Sequence, residues 1–148
     1  MPTDRQSRGN KGEVFIAKHM PCLKCKRHKT LKQLPNNFKC ADLICDFCSH
    51  TSQVKTFQKV TEGLPDTVLG AAWGPQIERM NNGIYHALWF VRVDAKDRVQ
   101  EVWLLPSELQ TQDLFQPRRP LSDTAKRAGW QGYLIDTKTF APRITQIK

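Results

Sequence analysis

The residues of this chain whose types and spacing could do chemistry begin with four cysteines. They form two C-x2-C pairs separated by nineteen residues, Cys22 with Cys25 and Cys45 with Cys48. Each pair can turn two thiolates toward one ion, and two pairs complete the four-sulfur site typical of structural zinc. Four unrelated buried thiols, or a redox C-x2-C, are the alternatives. The paired spacing favours a structural zinc site between residues 22 and 48, in which four sulfurs leave no coordination position open. Cys40 lies outside the pairs and is predicted to be a small core residue.

An aspartate, a glutamine and a lysine lie close to the second cysteine pair. Asp42 precedes that pair by three residues, and Gln53 follows Asp42 by eleven. Lys55 is two residues beyond Gln53, so both side chains lie on one face of a predicted strand. If that strand pairs with the strand that carries Asp42, the three side chains converge at one end of a sheet.

This group of side chains would suit hydrolysis of a phosphodiester. Oxygen atoms of Asp42 and Gln53 could hold Mg²⁺, which keeps several of its own waters. Lys55 could orient or deprotonate the attacking water and stabilise charge on the phosphate. Glu13, on an upstream helix, could supply another carboxylate. On spacing alone, a solvated Gln and Lys on an edge strand, with the Asp in a turn, is the more common arrangement.

Helices and strands that would position these residues follow from periodicity and turn signals. Strands are predicted over residues 38–44, 52–60, 87–93, 99–105, 132–135 and 143–147. Helices are predicted over residues 12–20, 69–82 and 122–128, with Ser122 as the N-cap of the last and Gly129 as its stop. The expected fold is α/β, a mixed central sheet flanked by helices with an inserted four-cysteine zinc knuckle.

Length and composition indicate what class of protein this is. The 148 residues suit one compact domain over residues 12–148, preceded by a basic disordered tail over residues 1–11. There is no apolar run of the ~20 residues that a membrane span needs. With five cysteines and no secretory signal at the N-terminus, a reducing cytoplasm is expected.

The positive charge is concentrated in two places. Residues 1–39 hold ten Lys and Arg against two acidic residues, and most of the net charge of +9 lies there. A second basic cluster consists of Arg118, Arg119, Lys126 and Arg127, with Trp130 beside it. Such patches favour a nucleic-acid partner, and the helix N-terminus predicted at Ser122 could donate amides to a phosphate. The alternative is a structural loop in which Trp130 packs on the sheet.

From about Glu13 to Ile147 the chain resembles the catalytic domain of the DpnI-like restriction endonucleases, in the PD-(D/E)XK nuclease superfamily. The resemblance rests on Glu13 nine residues before the first cysteine, on the double C-x2-C with Asp42, and on the tripeptide QVK at residues 53–55. Its longest element is RRPLSDTAKRAGW at residues 118–130, close to RKPLSPTARRAGW in that family, followed by Ile135-Asp136.

The resemblance implies a restriction-nuclease α/β core, a structural zinc and Mg²⁺-dependent cleavage of double-stranded DNA, with Mn²⁺ as a substitute and methylated DNA as a candidate target. Asp42 would be the first metal ligand and Lys55 the catalytic lysine. Gln53 would replace the second acidic ligand, as QxK in place of ExK, and bind Mg²⁺ more weakly than a carboxylate. The family's second, winged-helix DNA reader has no counterpart here, so a homodimer or a separate DNA-reading partner is expected.

Two other functions are compatible with these residues. The first is a DNA-binding module on the same fold that has lost cleavage through Gln53. The second is a zinc-ribbon protein that uses its basic N-terminal region to bind RNA. Convergence of Asp42, Gln53 and Lys55 in space would argue against the second.

Overall fold

The first helix begins earlier than the sequence pattern predicts. The computed structural model describes residues 3–148, so Met1 and Pro2 of the predicted tail lie outside the described residues. Helix α1 spans Asp4–His19, and the residues from Asp4 onward that were predicted as a disordered tail are helical. The cause is a capping box, in which Thr3 Oγ1 accepts from the Gln6 amide at 3.2 Å and Gln6 Oε1 accepts from the Thr3 amide at 2.8 Å.

A six-stranded mixed sheet forms the centre of the fold. Its strands are β1 (Leu31–Gln33), β2 (Leu43–Cys45), β3 (Thr51–Gln58), β5 (Ala87–Val93), β6 (Val99–Leu105) and β9 (Thr145–Gln146), in the order β1-β2-β3-β5-β6-β9. The β3–β5 pair is parallel and the other pairs are antiparallel. The strands predicted over 87–93 and 99–105 are β5 and β6, with the predicted bounds, and they form the predicted hairpin. The predicted strand over 38–44 is shorter and begins at Leu43, because residues 38–42 form a loop.

A second, three-stranded sheet lies beside the first and was not predicted as such. It consists of β4 (Thr67–Ala72), β7 (Phe115–Pro117) and β8 (Gly132–Asp136), in the order β4-β8-β7. The helix predicted over 69–82 is therefore wrong in its first part, and helix α2 spans only Trp73–Asn81. Pairing with β8 determines the conformation of β4. The pattern of apolar residues within β4 does not reveal a contact with a strand so distant in sequence.

Two apolar cores cover the two faces of the central sheet. On one face α1 packs through Ile16, close to Val54 and Trp89, and the cysteine knuckle continues this core. Close approach of helix and sheet requires a glycine, because a Cβ at Gly12 would lie 1.8 Å from Thr56 Oγ1. On the other face the second sheet packs against the central sheet through Phe115 and other apolar side chains.

The segment between β7 and β8 is a loop of turns. The helix predicted over 122–128 is absent from this described segment, so the anion site expected at its N-terminus is wrong. The two ends of this loop are joined instead by a hydrogen bond, in which the Gly129 amide donates to the Leu121 carbonyl at 2.9 Å. Gly129 has a φ of +76°, the left-handed conformation predicted for it as a helix stop. The last elements are a short helix α3 (Thr137–Phe140) and β9. Among the described residues, no helix is long and apolar enough to cross a membrane.

Candidate active site and metal centre

The four predicted zinc ligands come together at one point beside the central sheet. The sulfur atoms of Cys22, Cys25, Cys45 and Cys48 all lie within 4.8 Å of one another. The Cys22–Cys48 and Cys25–Cys45 sulfur pairs are 3.5 and 3.7 Å apart. Four sulfurs at tetrahedral angles, each ~2.3 Å from a zinc ion, would be ~3.8 Å apart. The spacing of the donor atoms therefore fits zinc.

Both halves of the cysteine cluster have the same local backbone geometry. After the first pair, the Lys26 amide donates to the Cys22 carbonyl at 2.9 Å, and after the second the Ser49 amide donates to the Cys45 carbonyl at 2.9 Å. Lys26 and Ser49 have φ values of +64° and +67°. Left-handed backbone at non-glycine residues is uncommon, and its repetition marks two matching knuckles that direct their sulfurs inward.

The environment of Cys45 favours a thiolate. Burial alone would raise the pKa of this thiol, but contacts with the Thr30 side chain and with the backbone of Cys48 and Phe47 lower the pKa to about 6. Because a metal-bound cysteine must be deprotonated, these contacts suit a ligand rather than an inert core thiol. Cys40 lies apart from the cluster and lines a different cavity.

The predicted catalytic aspartate immediately precedes β2 and is held by β3. The Asp42 amide donates to the Ser52 carbonyl at 2.9 Å, and Asp42 Oδ2 accepts from the Val54 amide at 2.7 Å. Burial raises the pKa of Asp42, while the bond from Val54 and the positive charge of Lys55 lower it. The carboxylate is thus fixed by one oxygen, and its other oxygen can bind a ligand.

Gln53 and Lys55 are brought to the same cavity as Asp42. The cavity has a volume of about 250 Å³, and its lining includes Asp42, Gln53, Lys55 and Tyr133. Gln53 is buried, and Lys55 is partly buried beside it on β3. Burial lowers the pKa of Lys55, while the negative charge of Asp42 raises it. The convergence predicted from the two-residue spacing is present.

Glu13, on α1, is close enough to feel the charges of Asp42 and Lys55, but it lines a neighbouring cavity and not the one that contains Asp42. Burial and the charge of Asp42 raise its pKa to about 7, while a hydrogen bond from Gln33 and the charge of Lys55 lower it. Gln33 Nε2 lies 3.5 Å from Glu13 Oε1. Two carboxylates and an amide oxygen are donors of the kind that Mg²⁺ prefers. Of these donors, Asp42 and Gln53 line the cavity itself, and Glu13 would add negative charge from the neighbouring cavity.

Tyr133 and Gln76 belong to this site and were missed by sequence reasoning. Tyr133 lies on β8, in the second sheet, and its ring is 5.8 Å from Lys55 Nζ. Its hydroxyl donates to Gln76 Oε1 on α2 at 3.4 Å. No local sequence signal identifies either residue, because tertiary packing brings Tyr133 to the cavity and Gln76 of α2 to the Tyr133 hydroxyl behind it.

The predicted DNA-binding cluster is divided by the fold. Arg127 and Trp130 line a groove of about 430 Å³, and Lys55 of β3 and Arg5 of α1 line the same groove. The Arg127 guanidinium lies over the Trp130 ring, 4.7 Å from its centroid. Arg118, Arg119 and Lys126 are exposed on the same loop. The groove shares Lys55 with the cavity that contains Asp42, and two arginines, Arg5 and Arg127, line it.

Comparison with known protein families agrees with this geometry. A family model described as DpnI, Dam-replacing family, matches residues 5–148 of the chain. The match covers the cysteine cluster, the cavity around Asp42 and the loop that carries Arg127 and Trp130.

Proposed function

The chain belongs to the DpnI, Dam-replacing family, and on that premise we propose that it is a Mg²⁺-dependent endonuclease that hydrolyses phosphodiester bonds of double-stranded DNA. Membership in the family indicates a restriction-type nuclease related to methyl-directed cleavage. The observation that carries the finer proposal is the single cavity lined by Asp42, Gln53 and Lys55. A cytoplasmic location and a DNA-reading partner or second copy are part of the same proposal.

Asp42 and Glu13 would hold the metal together with the side-chain oxygen of Gln53. A bound Mg²⁺ supplies charge stabilisation at the phosphate and lowers the pKa of a coordinated water. The bond from the Val54 amide to Asp42 Oδ2 orients this carboxylate before any ligand arrives, so little reorganisation is needed on binding. Glu13 adds the negative charge that Gln53 lacks.

Lys55 is the proposed catalytic lysine. Its ammonium carries three donors and would bind a non-bridging phosphate oxygen or orient the attacking water. Burial lowers its pKa, and the charges of Asp42 and Glu13 act in the opposite direction. Burial has the larger influence, so the pKa of Lys55 lies below its ordinary value.

The groove beside Lys55 is the proposed path of the DNA backbone. Arg127 would contact a phosphate, and Trp130 supports the guanidinium through the cation–π contact of 4.7 Å. Arg118, Arg119 and Lys126 add positive charge to the same loop. Contacts of this kind position DNA without reading its sequence.

A second candidate function is a DNA-binding module on the same fold that does not cleave. Gln53 is the observation that favours it, because a neutral amide oxygen holds Mg²⁺ less strongly than a carboxylate. The RNA-binding zinc ribbon is less well supported, since the three catalytic candidates share one cavity.

Cleavage of plasmid DNA distinguishes the two candidates. Adenine-methylated and unmethylated plasmids are incubated with Mg²⁺ or Mn²⁺ and with the wild-type chain, Asp42→Asn or Lys55→Met. Asp42→Asn retains an acceptor for the Val54 amide, and Asp66→Asn, at an exposed turn, is the matched control. We expect metal-dependent cutting that both cavity variants abolish and the control retains. Retained DNA binding without cutting by the wild type would favour the binding module.

A further inference from the structure

The N-terminal half of α1 lines the groove beside Lys55. Arg5 and Gly9, one helical turn apart, both line this groove, as do Lys55 of β3 and Arg127 of the loop between β7 and β8. Among the described residues, no aspartate or glutamate lines it. Gly9 also lines the neighbouring cavity of about 690 Å³ that contains Glu13. The backbone of Gly9 is thus shared by two cavities.

The placement of α1 is fixed by contacts from other positions of the helix. Arg8 Nε donates to Asp97 Oδ1 at 2.7 Å, in the turn between β5 and β6. Gly12 lies directly against the Thr56 side chain, where an added Cβ would overlap Oγ1. These contacts hold the helix against the central sheet, so this part of the groove is in place before any ligand binds.

Gly9, unlike Gly12, is not required by packing among the described residues. A Cβ at Gly9 would meet no atom of another part of the described chain within 4 Å. Gly9 lies inside a helix that spans Asp4–His19, where glycine is less favourable than alanine because it loses more conformational freedom on folding. What a glycine does supply here is open space beside the helix backbone, of the kind that a closely approaching ligand needs.

Three positive charges line the groove beside this open space. None of the ion pairs among residues 3–148 includes Arg5, Lys55 or Arg127. Such charges attract the phosphates of a nucleic-acid strand, and a guanidinium can bind two oxygens of one phosphate through parallel N–H donors. The charge and the open space beside α1 thus suit the sugar-phosphate backbone of DNA.

We propose that α1 is a DNA-binding element of this groove, in which Arg5 binds a backbone phosphate and Gly9 allows the DNA backbone to pack against the helix. The inference rests on the proposed function, because it takes double-stranded DNA as the ligand of the groove. It assigns the helix, and not only the loop that carries Arg127, to holding the DNA beside Lys55. Contacts of this kind set the position of the strand and do not read its bases.

The test compares DNA binding with stability in the same variants. Binding of a short labelled duplex to the zinc-loaded protein is measured by fluorescence anisotropy at several salt concentrations, with Mg²⁺ and Mn²⁺ left out so that no strand is cut. The variants are Gly9→Ala, Gly9→Gln and Arg5→Gln. Gly74→Ala is the matched control for Gly9, because Gly74 is an exposed helical glycine that lines neither the groove nor the cavity around Asp42. Lys138→Gln, at an exposed lysine of α3, is the control for Arg5→Gln.

The Gly9 substitutions are expected to have effects of opposite sign on stability and on binding. Gly9→Ala should raise the melting temperature by about 1–4 °C, as removal of a glycine from a helix interior does in a chain of this length. It should also weaken duplex binding by about 5–50-fold, because its methyl group occupies the space of a close contact, and Gly9→Gln should weaken binding further. Arg5→Gln should weaken binding and reduce the salt slope by about one. Both controls should bind as the wild type does.

Three results would overturn the inference while leaving the proposed function intact. The first is wild-type affinity in both Gly9 variants together with weakened binding in Arg127→Ala. The second is a lower melting temperature for Gly9→Ala, which would mean that the free fold needs this glycine. The third is an unchanged salt slope in Arg5→Gln. If the wild type does not bind the duplex at all, the proposed function itself fails, and the inference fails with it.

Discussion

Replacing Glu13 by glutamine should stabilise the protein at alkaline pH and have no effect at acid pH, in the absence of divalent cations. The carboxyl of Glu13 has a pKa raised from 4.5 to about 7, chiefly by burial and then by the charge of Asp42. The folded chain therefore keeps this proton up to about pH 7, whereas the unfolded chain releases it near pH 4.5. Stability is lost as the pH rises through this interval, because the folded state must ionise an unfavourably placed acid.

The size of the effect follows from the shift of the pKa. A change from 4.5 to about 7 corresponds to ~3.4 kcal/mol at 1.36 kcal/mol per unit. Glu13 is partly exposed, so solvent screening reduces the expected value to about 1.5 kcal/mol. Glu13→Gln should then raise the melting temperature by about 3–6 °C above pH 8, for a chain of this length.

The assay is thermal unfolding of the wild type and Glu13→Gln between pH 4.5 and 8.5, in buffers with Mg²⁺ removed but zinc retained. Glu78→Gln is the matched control, since Glu78 is an exposed glutamate on α2. Melting curves that differ by a constant amount at every pH would refute the reasoning. A pH-dependent difference of the same size in the control would refute it as well. Adding Mg²⁺ should stabilise the wild type more than Glu13→Gln, because only the carboxylate offers the cation a charge.

Three further outcomes are expected. Cys48→Ser should abolish binding of one zinc per chain and lower the melting temperature, whereas Cys40→Ser, outside the cluster, should keep the metal; equal zinc content in both would contradict the assignment. Gly70→Ala should cost about 1–3 kcal/mol in urea unfolding, since its Cβ would overlap the buried Tyr133 ring, whereas Gly74→Ala, with nothing within 4 Å, should be neutral or stabilising. Arg127→Ala should weaken DNA binding across all sequences and reduce the salt slope by about one; an unchanged slope would place the DNA elsewhere.

The cysteine cluster and the strand that carries Gln53 and Lys55 were predictable because their signals are local. The spacing within each C-x2-C pair directs both of its sulfurs toward one ion, and this local geometry does not depend on the rest of the fold. The two-residue spacing of Gln53 and Lys55 places both on one face of any strand. The β5–β6 hairpin followed from two runs rich in apolar residues that are separated by the short polar segment at 94–97. Even the early start of α1 has a local signal, the Thr3–Gln6 capping box. The polar composition of residues 1–11 led to the prediction of a disordered tail instead.

Tertiary structure alone decided the rest of the site. Residues 69–72 belong to β4 because β8 pairs with this strand, and no local preference of these four residues indicates a strand. The loop at 121–130 does not become a helix, although a good N-cap and a good stop flank it. The same long-range packing brings Tyr133 to the cavity that Gln53 lines, and it places Glu13 close enough to Asp42 to raise its pKa. Residue types and their spacing along the chain determined which chemistry was available. Contacts between segments far apart in sequence determined which side chains share the cavity, because burial and charge depend on distances that sequence order does not contain.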